Sequence, residues 1–282
     1  MPGKRIEPLD RKTPTFGQLG TLEVRLARSA GEIKRAQQVR YQVFYEELSA
    51  KPDPYAMATR RDRDAFDDIC DHLLVLDHNK VRTGRFLRHK PQIVGTYRLL
   101  RQEIAENHGG FYSVGEFDVA PLLDRHKDRR FLELGRSCVL KPYRDKRTVE
   151  LLWHGAWAYV LRHRADVLFG CASLAGTDLD ALAPALSYLH HHHLAPETWR
   201  VRAVECRYQT MNRIAAEDID ARRALRALPP LIKGYLRLGA YVADGAVIDE
   251  QFGTTDVMIV LPVADISHRY INYYGPNATR HA

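Results

Sequence analysis

The chain has 282 residues, of which 45% are hydrophobic and 27% are charged. This length allows one large domain or two small ones with a sizeable core, and the composition excludes a disordered chain. The net charge of +7 suggests an anionic partner, such as nucleic acid, an acidic carrier protein, a phosphate-bearing cofactor or a membrane surface, or else a solvated basic surface without one.

The first half of the chain reads as a series of strands with one long helix. Segments with strand-like composition lie at 22–27, 72–77, 92–100 and 130–140. The apolar spacing of residues 30–48 predicts a helix. A basic connection joins the second and third of these strands, which predicts a hairpin.

Strands and helices alternate in the second half, which predicts a layered α/β domain. Helices are predicted at 148–163, 178–193 and 228–242, and strands at 166–174, 199–205 and 254–262. Residues 1–20 predict a flexible leader because they are polar and lack the apolar segment of a signal peptide. We therefore predict a single domain at 21–275, with a family-specific insertion at 206–227 and a tail at 276–282.

Cysteine usage and hydropathy point to a cytoplasmic protein. Cys70, Cys138, Cys171 and Cys206 are widely spaced without a CxxC pair, which predicts free thiols in a reducing compartment and no cysteine zinc site. No segment approaches the roughly 18 apolar residues of a spanning helix. Any contact with the inner face of a membrane would therefore be peripheral.

The strand at 130–140 carries two charged residues, Glu133 and Arg136, among apolar neighbours. Strict alternation places them on opposite faces, unless a bulge changes the assignment. Burial would raise the pKa of Glu133, and a nearby arginine would lower it. The strand therefore holds either a structural Glu–Arg bridge or a carboxylate poised for proton transfer.

A basic turn joins this strand to the next helix. Its cations are Lys141, Arg144, Lys146 and Arg147. Helix N-termini present unpaired N–H groups and a partial positive charge, so added arginines can form a phosphate site. The turn has no glycine, which excludes a P-loop and a Rossmann loop. A solvated basic loop is the plain alternative.

This order of a strand with Glu, a basic turn and an apolar helix resembles the acyl-donor-binding core of the GNAT superfamily N-acyltransferases. The glycines of the usual GNAT turn are missing at 144–149, a departure that the acyl-homoserine-lactone synthases share. Further matches to those synthases are Arg40 and Phe44 (R-x-x-x-F), Asp64 and Asp67 (D-x-x-D), Arg98 (G-x-x-R-L), and Glu133 and Arg136 (E-x-x-R). The runs "PPLIKGYLRLGA" and "FGTTDV" narrow the resemblance to the L-ornithine Nα-acyltransferases over 22–275.

The resemblance implies an α/β, GNAT-like acyltransferase fold, with a central mixed, twisted sheet flanked by helices. It implies an enzyme that moves a 3-hydroxyacyl chain from acyl carrier protein to the α-amino group of L-ornithine, giving lyso-ornithine lipid. The co-substrate is then 3-hydroxyacyl-phosphopantetheine on acyl carrier protein, with no permanently bound cofactor and no metal. The implied roles are catalysis by Glu133 and Arg136, substrate binding by Arg40, Phe44, Asp64, Asp67 and Arg98, and phosphopantetheine binding by Lys141, Arg144, Lys146 and Arg147.

The chemistry of amide formation assigns these groups further. The attacking ammonium must lose a proton, for which Glu133 is the candidate base, and a backbone N–H within 137–139 can stabilise the oxyanion. An arginine can pair with the ornithine carboxylate, and Asp64 or Asp67 can hold an ammonium, although mutual bracing explains these charges equally well. Apolar walls for the acyl chain are predicted at Leu152, Trp153, Ala156, Trp157 and Phe169, although core packing explains these residues equally well. The basic segment 82–90 is expected to help dock the carrier.

Two other functions stay open from the sequence. One is a homoserine-lactone-type synthase, which would consume S-adenosylmethionine, and the other is a non-catalytic acyl-carrier-binding protein.

The run of histidines at 190–193 does not predict a metal site, because only His190 and His193 would share a helix face. No zinc finger or other nucleic-acid motif is present, so nucleic acid is not an expected partner.

Overall fold

The computed structural model describes residues 15–84, 87–267 and 270, and the side chains of all of these except 80–84 and 87–89. The predicted tail and most of the predicted leader lie outside the described residues. In the basic segment 82–90, only Lys90 has a described side chain. The predicted carrier-docking role of that segment therefore also lies outside the described residues.

The strands of the described residues are β1 (Gly17–Leu19), β2 (Leu22–Leu26), β3 (Asp71–Gly84), β4 (Leu87–Arg101), β5 (Phe117–Asp118), β6 (Phe131–Val139), β7 (Val167–Ala175), β8 (Arg202–Ala203), β9 (Tyr241–Val242), β10 (Val247–Asp249) and β11 (Thr254–Pro262). Within this part of the chain, nine strands form one sheet in the spatial order β1-β2-β3-β4-β6-β7-β11-β10, and β9 also pairs with β11. All neighbours are antiparallel except β6 and β7. The predicted central mixed sheet is confirmed.

The α-helices of the described residues are α1 (Ala30–Tyr41), α2 (Pro54–Thr59), α3 (Gln102–Ala105), α4 (Ala120–Arg125), α5 (Lys146–His163), α6 (Leu179–His193), α7 (Ala221–Ala227) and α8 (Pro230–Arg237). Side-chain oxygens of Ser29, Asp145 and Asp178 cap the N-termini of α1, α5 and α6. None of the helices in this described set is long and apolar enough to cross a membrane.

Helices flank the sheet on both faces. Gly155 of α5 packs directly on β2 and β3, where an added Cβ would lie 2.4 Å from Cγ2 of Val24, so only glycine permits this close approach. On the other face, Arg25 of β2 pairs with Glu32 of α1 at 2.8 Å. Because Val24 and Arg25 are successive strand residues, they point to opposite faces. The face covered by α1 is called the α1 face below.

Several predicted boundaries need correction. The leader is shorter than predicted, since Gly17–Leu19 pairs with β2. The helix predicted at 148 begins at Lys146, where Asp145 caps it. The strand predicted at 199–205 shrinks to Arg202–Ala203. The helix predicted at 228–242 ends at Arg237 because Gly239 takes a positive φ of +96°, and β9 follows.

The predicted acyl tunnel is divided by the sheet. Trp153 and Trp157 of α5 line a cavity of about 20 Å³ together with Leu168, which is room for about one water molecule. Phe169 is the next residue of β7 and therefore points to the α1 face, where it packs against Phe111. The prediction that Phe169 and the two tryptophans share one tunnel is wrong.

Candidate active site

Strands β6 and β7 separate in the middle of the sheet. Among the described residues they pair only over 131–133 of β6, while β6 stays paired with β4 up to Val139 and β7 with β11 up to Ala175. Gly170 marks the branch point, because it has a φ of +157° and an added Cβ would lie 2.2 Å from the Leu134 carbonyl oxygen. The resulting gap leaves backbone polar groups that need partners, which a bound ligand can supply.

A bulge on β6 turns Arg136 toward the α1 face. The register of β4 against β6 shifts between Thr96 and Arg98, which leaves an extra residue on β6. Arg136 has the left-handed φ of +52° that such a bulge permits. Tyr112 consequently reaches both charged residues, since its N–H donates to Glu133 and its hydroxyl accepts from Arg136. The exception that the sequence left open therefore holds, because the extra residue of the bulge reverses the alternation and places both side chains on the α1 face.

Arg40 of α1 is enclosed by the acidic loop that follows α2. Its Nε donates to Asp62 Oδ2 at 2.7 Å, and its Nη2 donates to the two Asp67 oxygens at 2.7 and 2.8 Å. Arg40 is 0% exposed. It therefore braces the loop instead of facing a substrate. These contacts favour bracing, the alternative that the sequence left open, and the substrate-binding role of Arg40 stays a prediction.

Arg98 and Arg136 continue this network toward the gap. Arg98 is 3% exposed, donates to Asp64 and lies 3.6 Å from Asp67. The Arg136 side chain is 15% exposed, and its Nε and Nη2 lie 3.4 Å from Asp62 and 3.6 Å from Asp64. Arg136 is thus the most exposed of the three arginines, and it is the one that has no ion pair shorter than 3.4 Å among the described residues. It is the guanidinium best placed to receive a substrate carboxylate.

The three aspartates of the loop differ in what they can offer a ligand. Burial alone would raise the pKa of Asp62, but the Arg136 and Arg40 guanidiniums hold that pKa below its usual range. Arg40 and Arg98 likewise outweigh burial and lower the pKa of Asp67. Both carboxylates are therefore ionised and occupied by bracing. Asp64 is less buried, and its Oδ2 has no hydrogen-bond partner among the described atoms, so it remains a candidate ligand contact.

Glu133 accepts hydrogen bonds from the turn that lies above the sheet. Its Oε2 accepts from the Tyr112 N–H and its Oε1 from the Ser113 N–H, each at 2.8 Å. The residue is 4% exposed. Burial raises the pKa of Glu133, although the hydrogen bonds from Ser113 and Tyr112 oppose the rise. A carboxylate has about four lone-pair sites, so Glu133 retains capacity to accept a proton.

The Glu–Arg bridge that the sequence left open is not formed. Among the described residues, Arg136 pairs with Asp62 and Asp64 instead of Glu133. The guanidinium carbon of Arg136 also lies 4.9 Å from the ring centre of Tyr112 and 4.7 Å from that of Phe252. These distances suit cation–π contacts on two rings. Arg136 is therefore held between aromatic side chains at the edge of the gap.

Phe44 contacts the site indirectly, through the ring of Phe252. The helix predicted at 30–48 continues beyond α1 as a π-helical turn, Gln42–Glu47, which carries Phe44. Phe44 packs edge-on against Phe252 with ring centres 5.6 Å apart, and Phe252 in turn covers Arg136. Turns of this kind are frequent at functional sites. Phe44 therefore supports the Arg136 pocket from behind.

The basic turn lies at the end of β6. The four predicted cations are all exposed to solvent: Lys141, Arg144, Lys146 and Arg147. Nε of Arg144 donates to the Val139 carbonyl at 2.9 Å and its Nη2 pairs with Glu47, which fastens the turn to the strand. Asp145 accepts the Thr148 N–H at 2.8 Å, so one N–H of the helix start is already occupied. The remaining charge stays available to an anion.

The thiol of Cys138 is buried, whereas that of Cys206 is exposed. All four cysteines are free. Burial raises the pKa of Cys138, which lies on β6 beside the gap, to about 12. Because the thiolate is the reactive form, this thiol is inert at neutral pH. The arrangement therefore fits direct transfer to an amine and not an acyl-cysteine intermediate.

Comparison with known proteins identifies the family. Residues 39–154 match the family model described as an acetyltransferase (GNAT) domain. The L-ornithine N(alpha)-acyltransferase of Agrobacterium fabrum strain C58 is 55% identical, over 98% of this chain and 92% of that protein. The enzyme of the same name from Rhizobium meliloti strain 1021 is 56% identical, over 94% and 88%. The chain belongs to the L-ornithine Nα-acyltransferase family.

Membership of the L-ornithine Nα-acyltransferase family confirms the predicted family and the GNAT-like fold, and it makes this chain an acyltransferase. It decides against the homoserine-lactone synthase and the non-catalytic carrier-binding protein that the sequence left open. A solved N-acyl amino acid synthase from uncultured soil microbes superposes with a TM-score of 0.46 at 10% identity, covering 86% of this chain and 91% of that chain.

Sequence reasoning missed three residues of this family member's site. Asp62 precedes the D-x-x-D motif by two residues, and the signal that could have found it was its position between two arginines. Tyr112 lies between the predicted strands at 92–100 and 130–140, where the sequence predicts no strand and gives no signal for it. Phe252 opens the run "FGTTDV", which was noticed for its resemblance but not for its chemistry. Each of them acts on Arg136, so the bulge that places Arg136 is what brings them together.

Proposed function

We propose that this chain transfers a 3-hydroxyacyl group from acyl carrier protein to the α-amino group of L-ornithine, which yields lyso-ornithine lipid. The single observation that carries the proposal is the 55% and 56% identity to two proteins named L-ornithine N(alpha)-acyltransferase. The gap between β6 and β7 supports it, because guanidiniums and a buried carboxylate lie on its α1 face and a basic turn lies at its end.

The donor thioester lies along the gap in this proposal. The phosphate of phosphopantetheine sits on the exposed cations Lys141, Arg144, Lys146 and Arg147, which suit a phosphate as charge-assisted donors. The amides of the arm pair with backbone groups that the separation of β6 from β7 leaves unpaired. An acidic carrier is favoured by the net charge of +7, which also allows peripheral contact with an anionic membrane that receives the product.

The acceptor amino acid lies on the α1 face with its carboxylate on Arg136. Its α-ammonium gives a proton to Glu133, directly or through a water, and the raised pKa of Glu133 suits that task. The nitrogen lone pair then forms the C–N bond, and a backbone N–H within 137–139 stabilises the oxyanion. The nitrogen of the adduct gives up a second proton, and the C–S bond breaks as the carbonyl re-forms. One of the two protons passes to the leaving thiolate and the other leaves to solvent. The products are an amide, the free carrier thiol and one proton.

The proposal is tested by incubating the purified chain with 3-hydroxyacyl carrier protein and a panel of amino acids. Mass spectrometry of the lipid product and release of the carrier thiol are measured together. We expect an N-acyl product with L-ornithine and no product from the carrier alone. Release of methylthioadenosine with S-adenosylmethionine, or thiol release that no amine accelerates, would overturn the proposal.

A further inference from the structure

A cluster of three carboxylates lies on the α1 face beside Arg136. Glu116, Asp249 and Asp256 each offer an oxygen, and these oxygens lie within 4.8 Å of one another. Glu116 is 6% exposed, and its Oε2 has no hydrogen-bond partner among the described atoms. Nη1 of Arg207 lies 3.8 Å from its other oxygen. A buried acceptor without a donor is costly, so this cluster is suited to a ligand that donates.

The other two carboxylates are fixed in place by the turn between β10 and β11. Asp249 Oδ1 accepts the N–H groups of Gln251 and Phe252 at 2.8 and 3.0 Å. Asp256 Oδ1 accepts the Thr254 hydroxyl at 2.8 Å. These bonds orient the carboxylates without neutralising them. Burial raises the pKa of both Glu116 and Asp256, which agrees with a shortage of positive charge around them.

The carboxylate cluster and the Arg136 guanidinium are neighbours. Phe252, whose N–H binds Asp249, covers Arg136 with its ring at 4.7 Å. The Tyr112 hydroxyl accepts from Arg136 at 3.2 Å. Burial raises the pKa of Tyr112. The charge of Arg136 lowers this pKa and the charge of Glu116 raises it, so both groups lie close enough to act on the Tyr112 hydroxyl. An anion site and a cation site therefore lie side by side on one face.

We propose that Glu116, Asp249 and Asp256 bind the side-chain ammonium of the acceptor amino acid and so select a cationic amino acid over a neutral one. This inference rests on the proposed function, in which the acceptor is L-ornithine with its carboxylate on Arg136. The α-amine is an unsuitable occupant because it must be neutral to attack the thioester. The side-chain ammonium stays charged throughout and gains from all three carboxylates.

The spacing of the oxygens suits an ammonium group. An alkylammonium has three N–H donors, and donor–acceptor distances near 2.8 Å in tetrahedral directions put the acceptors roughly 4.6 Å apart. That separation is within the 4.8 Å limit of the cluster. A Mg²⁺ ion would need its oxygens at about 2.1 Å from the metal and therefore at most about 4.2 Å apart. Both separations lie within the 4.8 Å limit, so the cluster can accommodate an ammonium, and the effect of EDTA and Mg²⁺ on activity distinguishes it from a metal ion.

The test compares L-ornithine with L-norvaline, which has the same carbon chain without the side-chain ammonium. The wild-type chain and the Glu116→Gln, Asp249→Asn and Asp256→Asn variants are assayed with both acceptors. In each variant we expect the ratio of kcat/KM for ornithine to that for norvaline to fall by about 10- to 100-fold, mainly through KM for ornithine. Asp124→Asn, which removes an exposed carboxylate paired with Lys127, is the matched control and should leave the ratio unchanged.

Each outcome of this experiment decides the inference. An equal loss with both acceptors would mean a structural role and overturn it, as would ornithine activity that EDTA abolishes and Mg²⁺ restores. A wild-type chain that uses both acceptors equally well would refute the inference while the proposed function stands. A wild-type chain that acylates lysine but not ornithine would refute the proposed function while the inference stands. Thermal shifts with the two amino acids give the same comparison for any variant that folds without turnover.

Discussion

Replacing Arg40 with Met tests whether this guanidinium braces the acidic loop or binds substrate. Arg40 makes four hydrogen bonds to Asp62 and Asp67 with none of its surface exposed. Met fills a similar volume without charge, so the variant leaves two carboxylates buried without their cation. Removing one partner of a buried ion pair costs about 3–5 kcal/mol. We expect the free energy of unfolding of Arg40→Met to fall by that amount.

The measurement is thermal unfolding followed by circular dichroism. For a chain of this size each kcal/mol shifts Tm by about 2 °C, so Arg40→Met should lower Tm by roughly 6–10 °C. Lys127→Met is the matched control, because the Lys127–Asp124 pair is 3.7 Å long and exposed on both sides. Such a pair contributes at most about 1 kcal/mol. The control should therefore shift Tm by no more than about 2 °C.

The stability of a double variant and the KM for the amino acid together distinguish bracing from substrate binding. If Arg40 braces the loop, the double variant Arg40→Met/Asp67→Asn should lose less stability than the two single variants added together, since one change removes the charge that the other leaves unpaired. An unchanged Tm together with a large rise in KM for the amino acid would refute the bracing role. It would show that Arg40 contacts the substrate.

Further predictions concern the candidate base Glu133, the basic turn after β6 and the branch point at Gly170. Burial raises the pKa of Glu133, so the protonated carboxyl stabilises the fold at low pH and this stability is lost as pH rises through the raised pKa. Relative to wild type, Glu133→Gln should therefore become more stable as pH rises from acidic values, while its kcat falls at least about 100-fold. A pH-independent difference would contradict this sign. Arg144→Gln should raise KM for the acyl carrier about tenfold, with a smaller rise at high salt. Arg162→Gln, at an exposed position near the far end of α5, should leave this KM unchanged. The urea midpoint of unfolding should be lower for Gly170→Ala than for Gly176→Ala. Both glycines have a positive φ, but only at Gly170 would an added Cβ meet a carbonyl oxygen. Equal midpoints would refute the branch-point role.

Much of the fold could be predicted because its signals are local. The strand and helix of the stretch from 130 to 163 follow from apolar spacing, and the basic turn follows from four cations close together in sequence. The face of Arg136 could not be predicted in this way, because the bulge depends on the register against β4. The partners of Glu133 lie about twenty residues earlier in the chain, in a segment without a periodic pattern.

The difference between local and long-range signals also explains why the sequence predicted some acidic residues of the site and missed others. Asp64 and Asp67 stand in a recognisable motif, and the structure shows that motif to be largely a brace for the arginines. Glu116 lies in no motif, and Asp256 lies in the run "FGTTDV", which marked a resemblance but no role for the acid. In addition, 140 positions separate the two residues, and only the folded sheet brings their oxygens together. Local pattern therefore found the residues that organise the site, and long-range folding supplied those that we propose to select the substrate.

Charge balance links the two halves of the candidate site. The three buried arginines are matched by three aspartates, so that network is close to neutral and needs no ligand to be stable. The pairs of Arg136 with Asp62 and Asp64, at 3.4 and 3.6 Å, are longer than the 2.7 Å pairs of Arg40, so a substrate carboxylate can take over Arg136 while the Arg40 brace stays intact. In the described part of the chain, the carboxylate cluster around Glu116 has a poorer match, since Arg207 lies 3.8 Å from one Glu116 oxygen and is shared among three carboxylates. An acceptor with one carboxylate and a charged side chain then supplies the missing positive charge, and a neutral amino acid leaves it unmet.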